Sequence, residues 1–109
     1  MTITILLEKL QKLKHKIWLS DVPHPTVSEY MQWHRENADM CSQINRIICL
    51  VSEGGFYVWD IKDKLSQIIY NLRSTYRFRE LTPEDVELNN KKVAIMEEIY
   101  LVIEYLQNG

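Results

Sequence analysis

The chain has 109 residues, 46% of them hydrophobic and 26% charged, with a net charge of -2 at pH 7. That balance belongs to ordinary globular domains and excludes a disordered tail or a low-complexity segment. The near-neutral charge argues against a bulk electrostatic affinity for nucleic acid or an anionic membrane.

The length predicts one domain over 1–109, able to bury roughly two-thirds of its unfolded surface. Cys41 and Cys49 stand eight residues apart in one apolar stretch. On a helix that spacing is ~12 Å along the axis, beyond disulfide reach, so both read as small hydrophobes in a reducing compartment. No apolar run approaches the ~18 residues of a membrane span, and MTITILLEKL lacks the basic start and cleavage site of a signal peptide. A soluble, cytoplasmic protein with no membrane role is expected.

Three glycines and three prolines punctuate the chain, and the segments between them read as helices. The first, 4–19, sets Leu6, Leu10, Leu13 and Ile17 at helical spacing, with Lys9, Lys12, Lys14 and Lys16 on other faces. The alternation in TITI also fits a short strand, and the sequence leaves that start open. SDVPHPT, with two prolines bracketing His24, predicts a stiff, extended connector.

Thr26 and Glu29 form a capping-box pattern at the head of the second helix, 27–52. Its inner stripe is expected to be Val27, Met31, His34, Ala38, Cys41, Ile44, Ile48 and Val51. Gly54 and Gly55 end it. The third helix, 57–78, carries Ile61, Leu65, Ile68, Leu72 and Tyr76. In LTPED, Thr82 is an N-cap, Pro83 takes the first helical position, and Glu84 and Asp85 complement the dipole of a fourth helix, 83–106. Short connections between long helices predict an all-α, antiparallel up-down bundle of four helices, the first of them shortest.

EEIYLVIEYL, residues 97–106, carries more apolar surface than one packing face needs. Leu88, Ile95, Ile99, Val102 and Leu106 share a face, with Met96 and Ile103 beside it and Glu97 and Glu104 opposite. Tyr100, Leu101 and Tyr105 fall on the flanks and the polar side. In the second helix Trp33, Met40 and Ile47 recur every seven residues on a line off the expected inner face. A helix that touches two neighbours accounts for such a surplus, and so does a contact surface for another molecule. Three Trp, six Tyr and two Phe favour the second account, because aromatic residues and methionine are enriched at protein contacts. The expected interface is Trp33, Met40, Ile47, Tyr100, Leu101 and Tyr105, with Arg73, Arg77 and Arg79 as polar anchors. Its expected use is a homodimer.

The residues that carry chemistry are sparse. His34 and Cys41 lie two helical turns apart, too far to share a metal without other ligands, and Glu-x-x-His is missing. Glu36-x-x-Asp39 and Asp60-x-x-Asp63 have a spacing that resembles the magnesium-holding pairs of MazG-like all-helical nucleotide pyrophosphohydrolases. The resemblance covers four residues, and Asp39 and Asp60 stand where that group has Glu. The helical wheel turns Glu36 and Asp63 away from the apolar stripes, so these read as solvated charges. No G-x-S-x-G, phosphate-binding loop or base-paired cysteine is present. No catalytic, cofactor-binding or metal-binding residue is expected.

Charge is unevenly spread: residues 55–79 hold five basic and two acidic side chains, residues 80–109 two and seven. Arg73, Arg77 and Arg79 alternate with Tyr76 and Phe78, a pattern that stacks bases and binds phosphates, or equally caps a helix end. The sequence favours a non-enzymatic protein-interaction module, of the adaptor, inhibitor or immunity- and antitoxin-like kind. A nucleic-acid or nucleotide binder comes second, and a magnesium-dependent pyrophosphohydrolase third.

Overall fold

The computed structural model describes residues 2–21, 28–79 and 81–108, residues 28 and 29 by their backbone alone. Four helices account for its regular structure: α1 Ile3–Leu19, α2 Ser28–Glu53, α3 Val58–Ser74 and α4 Pro83–Asn108. They form the expected up-down bundle, with α1 packed between α2 and α4, α4 between α1 and α3, and α2 meeting α3 only sparsely. The bundle measures 43 × 25 × 17 Å. It is long because α2 and α4 have 26 residues each, ~39 Å of helix. At 17 residues α1 is shortest, a length it shares with α3. No helix among the described residues is long and apolar enough to cross a membrane.

The TITI segment is helical. Thr2 takes the N-cap in an extended conformation and its carbonyl accepts the Leu6 N–H at 3.0 Å. The β preference of Ile3 and Ile5 is worth at most ~1 kcal/mol. Helix formation puts Leu6, Leu10, Leu13 and Ile17 together in the core, each worth ~1.5–3 kcal/mol of burial. The stripe therefore outweighs the local preference.

The face that α2 turns inward differs from the expected one. The buried line is Trp33, Asn37, Met40, Ile44, Ile47 and Val51, about a quarter turn from the predicted stripe at ~100° per residue. Met31, His34 and Ala38 are exposed, and Cys41 and Ile48 are half-buried. The cause lies at the end of α1. The Trp33 indole N–H donates to the Ser20 carbonyl at 3.0 Å, the Asn37 amide donates to the Ile17 carbonyl, and His34 faces the Asp21 carboxylate at 2.8 Å. The first two bonds add partners to carbonyls at the end of α1, and all three fix the rotation of α2. Thr26, Val27 and the Glu29 side chain, with the predicted capping box, lie outside the described residues, as does most of the proline connector. Gly54, at φ 79°, closes α2 in the left-handed conformation that glycine tolerates.

Helix α3 ends at Ser74, four residues before the predicted end. The Tyr76 N–H still reaches back to the Arg73 carbonyl at 3.3 Å, but the Thr75 carbonyl and both backbone groups of Arg77 find their partners on α4. Pro83 and Thr82 begin α4 as expected: the Thr82 hydroxyl accepts the Asp85 N–H at 3.1 Å, and the Asp85 carboxylate accepts the Thr82 N–H at 3.2 Å. This reciprocal cap satisfies two of the donors that a helix start leaves free.

Candidate functional site

Two regions of the surface gather side chains that a bundle does not need for its core. The first lies where the α3–α4 connection crosses the start of α2. Asp85, Asn89 and Lys92, at i, i+4 and i+7 on α4, are all buried. Lys92 Nζ donates to the Thr75 carbonyl at 2.9 Å and lies 5.9 Å from the Trp33 ring centre. The Asn89 amide accepts the Arg77 N–H at 3.1 Å and donates to the Arg77 carbonyl at 2.8 Å. Asp85 caps Thr82 and stands 4.0 Å from the Arg77 guanidinium.

A cleft of about 290 Å³ opens above these groups, walled by Glu36, Trp33 and Arg77. Burial pushes the Lys92 ammonium below the ordinary lysine range; the Glu36 carboxylate opposes that shift, Arg77 adds to it and Asp85 opposes it. The polar atoms of Asn89, and one of the donors of Lys92, are engaged by loop backbone. Their chemistry is tethering: they hold residues 75–77 and present Arg77, Phe78 and Arg79 to solvent. The expected interface and site residues do not include the trio of Asp85, Asn89 and Lys92. Its signal was present, because polar residues at 85, 89 and 92 interrupt the apolar face that carries Leu88, Ile95 and Ile99.

The second region is the outer groove between α3 and α4. Ser66, Ile69, Tyr70 and Arg73 form one wall and Tyr100 the other, around about 560 Å³. Tyr70 is 67% exposed and Tyr100 50%, large values for aromatic side chains on neighbouring helices. Val93 and Leu101 lie exposed nearby on α4.

The nine residues expected at an interface divide into three groups. Trp33, Met40 and Ile47 are core residues, Trp33 only 1% exposed. That corrects their assignment to a free surface, and the rotation of α2 is the reason. Tyr105 is half-buried and occupied within the chain: its hydroxyl accepts the Thr2 N–H at 3.1 Å, and Lys9 Nζ lies 5.1 Å from its ring centre. The remaining five, Arg73, Arg77, Arg79, Tyr100 and Leu101, are exposed. Among them Arg73 and Tyr100 share the outer groove, whereas Arg77 and Arg79 sit on the loop at the bundle end. Tyr70, which completes the groove, was not anticipated.

The acidic pairs do not come together. Glu36 and Asp39 line the α2–α3 seam near the start of α2. Asp60 pairs with Lys64 at 3.5 Å and Asp63 is exposed, both near the start of the antiparallel α3. Opposite ends of the bundle thus hold the two halves of the pattern. Among the described residues no three His, Cys, Asp or Glu side chains converge in a way that would hold a metal ion.

Compared with known protein families, with curated proteins and with solved structures, the chain matches none.

Proposed function

We propose that this chain is a non-enzymatic protein-interaction module, a regulator or adaptor, that self-associates through the outer face of α3 and α4. The observation that supports this reading is the groove itself: Tyr70 and Tyr100 stand at least half exposed around it, beside Arg73. Tyrosine and arginine are the residue types that dominate binding energy at contacts, because each offers a large flat surface with a polar tip. Leaving such rings in water forgoes burial that another molecule would supply.

Light scattering during size-exclusion chromatography tests the reading. A mass near twice 13.0 kDa that falls to the single-chain value in Tyr70→Glu and Tyr100→Glu, with helicity and melting unchanged, is the expected result. A single-chain mass at every concentration up to several hundred micromolar removes it.

A second reading rests on the tethered loop. Phe78 is 79% exposed, packs at 4.9 Å between ring centres against Tyr76, and is flanked by Arg77 and Arg79. A ring held in place between two cations suits stacking on a base of single-stranded nucleic acid. Titration of a labelled single strand across a salt series tests it, since such binding must weaken steeply as salt rises.

A further inference from the structure

The charges that border the α3–α4 groove are arranged by helix. On α3, Lys62, Ser66, Ile69 and Arg73 fall at i, i+4, i+7 and i+11 and share one side, bringing two cations. On α4, Val93, Glu97, Tyr100 and Glu104 repeat the same spacing and bring two anions. Ser66, Ile69 and Arg73 line the groove together with Tyr100, and the bonds from Asn89 to Arg77 and from Lys92 to Thr75 set the level of α4 against α3. Because the helices are antiparallel, Lys62 then lies about level with Glu104, and Arg73 within a turn of Glu97. Arg73, Glu97 and Glu104 are exposed. Among the described residues none of the four charges has an ion-pair partner within the chain.

A surface with a basic strip beside an acidic strip is complementary to itself once turned over. A twofold axis running along the groove, parallel to the helices, lays α3 of one copy on α4 of the other and keeps every residue at its own level. Cations then meet anions on both sides of the axis while Tyr70 and Tyr100 stack over the centre. An axis across the groove instead lays α3 on α3, and both of its strip charges are positive. Scale is compatible. A face ~25 Å long and two helices wide covers roughly 550 Å², near the lower end of the ~600–1,000 Å² that each partner gives to a specific interface.

We propose that a second copy of this chain covers the groove in that register, with Lys62 opposite the partner's Glu104 and Arg73 beside the partner's Glu97. The inference rests on the self-association proposed above and adds its geometry. Rim charges of this kind choose orientation and partner more than they add affinity.

The test is a mixing experiment with Lys62→Glu and Glu104→Lys. Each variant alone sets like charges against each other twice, so its self-association should weaken about tenfold relative to the unaltered chain. When the two are mixed in equal amounts, the carboxylate introduced at position 62 of one chain meets the ammonium introduced at position 104 of the other. The first chain's unaltered Glu104 meets the second chain's unaltered Lys62, so a mixed dimer should form with the unaltered affinity. Native mass spectrometry of one isotope-labelled variant against the other reads the outcome. Lys12→Glu mixed with Glu104→Lys is the control, since it carries the same net charges but places one of them on α1. Mixed dimers from the first pair and not from the control support the register. Random mixing in both pairs, in a chain that is dimeric and loses dimerisation in Tyr100→Glu, overturns the register alone. A monomeric unaltered chain overturns the register and the self-association together.

Discussion

Asn89 is joined to Arg77 twice, accepting its N–H at 3.1 Å and donating to its carbonyl at 2.8 Å. A side-chain amide thereby does for the backbone of residue 77 what another turn of α3 would have done. Asn89→Ala leaves both backbone groups without these partners, a loss of about 1–3 kcal/mol if they stay shielded from water. Urea unfolding should show that drop, and exchange of the Arg77 amide proton should accelerate more than exchange in α1. An unchanged unfolding midpoint together with unchanged exchange would show that the loop holds itself.

Trp33 and Ile47 offer the sharpest contrast with a surface assignment. Both are buried within a single chain, so Trp33→Ala should cost about 3–5 kcal/mol and Ile47→Ala about 2–5 kcal/mol of folding stability. Leu101→Ala, on the exposed side of α4, should stay within about 0.5 kcal/mol. Thermal and urea unfolding of the three variants, at a concentration low enough to hold each as a single chain, reads the difference. A Trp33→Ala chain as stable as the parent would place the indole outside the core.

Which parts of this arrangement were legible depended on how narrow each apolar stripe was. In α1 four large aliphatic residues at strict spacing allow one face, and in α4 the line from Leu88 to Leu106 does the same. In α2 apolar residues at 31, 33, 38, 40, 41, 44, 47, 48 and 51 permit two stripes. The choice is made by Trp33 and Asn37 bonding to the end of α1, contacts that leave no local trace in sequence. The early end of α3 has the same kind of cause, since Asn89 and Lys92 act on it from 12 and 17 residues away. Tyr100 and Leu101 are identifiable as surplus on a wheel, and Arg73 from its alternation with aromatic residues. Tyr70 is not, because a single aromatic on a polar face carries no periodic signal.

Tyr30 on α2 donates its hydroxyl to the Glu87 carboxylate of α4. That bond above all, then desolvation and the negative charges of Glu87 and Glu84, pushes the phenol up to about 12. The folded state therefore keeps its proton longer than the unfolded chain, whose phenol ionises near about 10. The contribution to stability is complete below pH ~10 and is lost as pH rises through about 12. Tyrosinate absorbance, read within milliseconds of a pH jump so that folding persists, should show a late phenol that moves back toward the ordinary range in Glu87→Gln. If Glu87→Gln leaves the titration unchanged, the bond is not what holds the proton.

The two cysteines report on the rotation of α2 without any change to the sequence. Cys49 is exposed, whereas Cys41 is half-buried with its sulfur 3.8 Å from the Asn37 amide oxygen. Burial pushes the Cys41 thiol up, Lys14 opposes the shift and Asp21 adds to it. The thiolate is the reactive form, so both access and acidity disfavour Cys41. Alkylation at pH 8, followed by mass spectrometry of the peptides, should therefore label Cys49 about tenfold faster in the folded chain. In urea the two rates should converge. Were α2 turned to the alternative stripe, Cys41 would sit at the centre of the core beside Ile44 and react only on unfolding. A Cys41 rate equal to the global unfolding rate would thus favour that rotation. Slow labelling that proceeds without unfolding would establish the one in which Trp33 and Asn37 hold the end of α1.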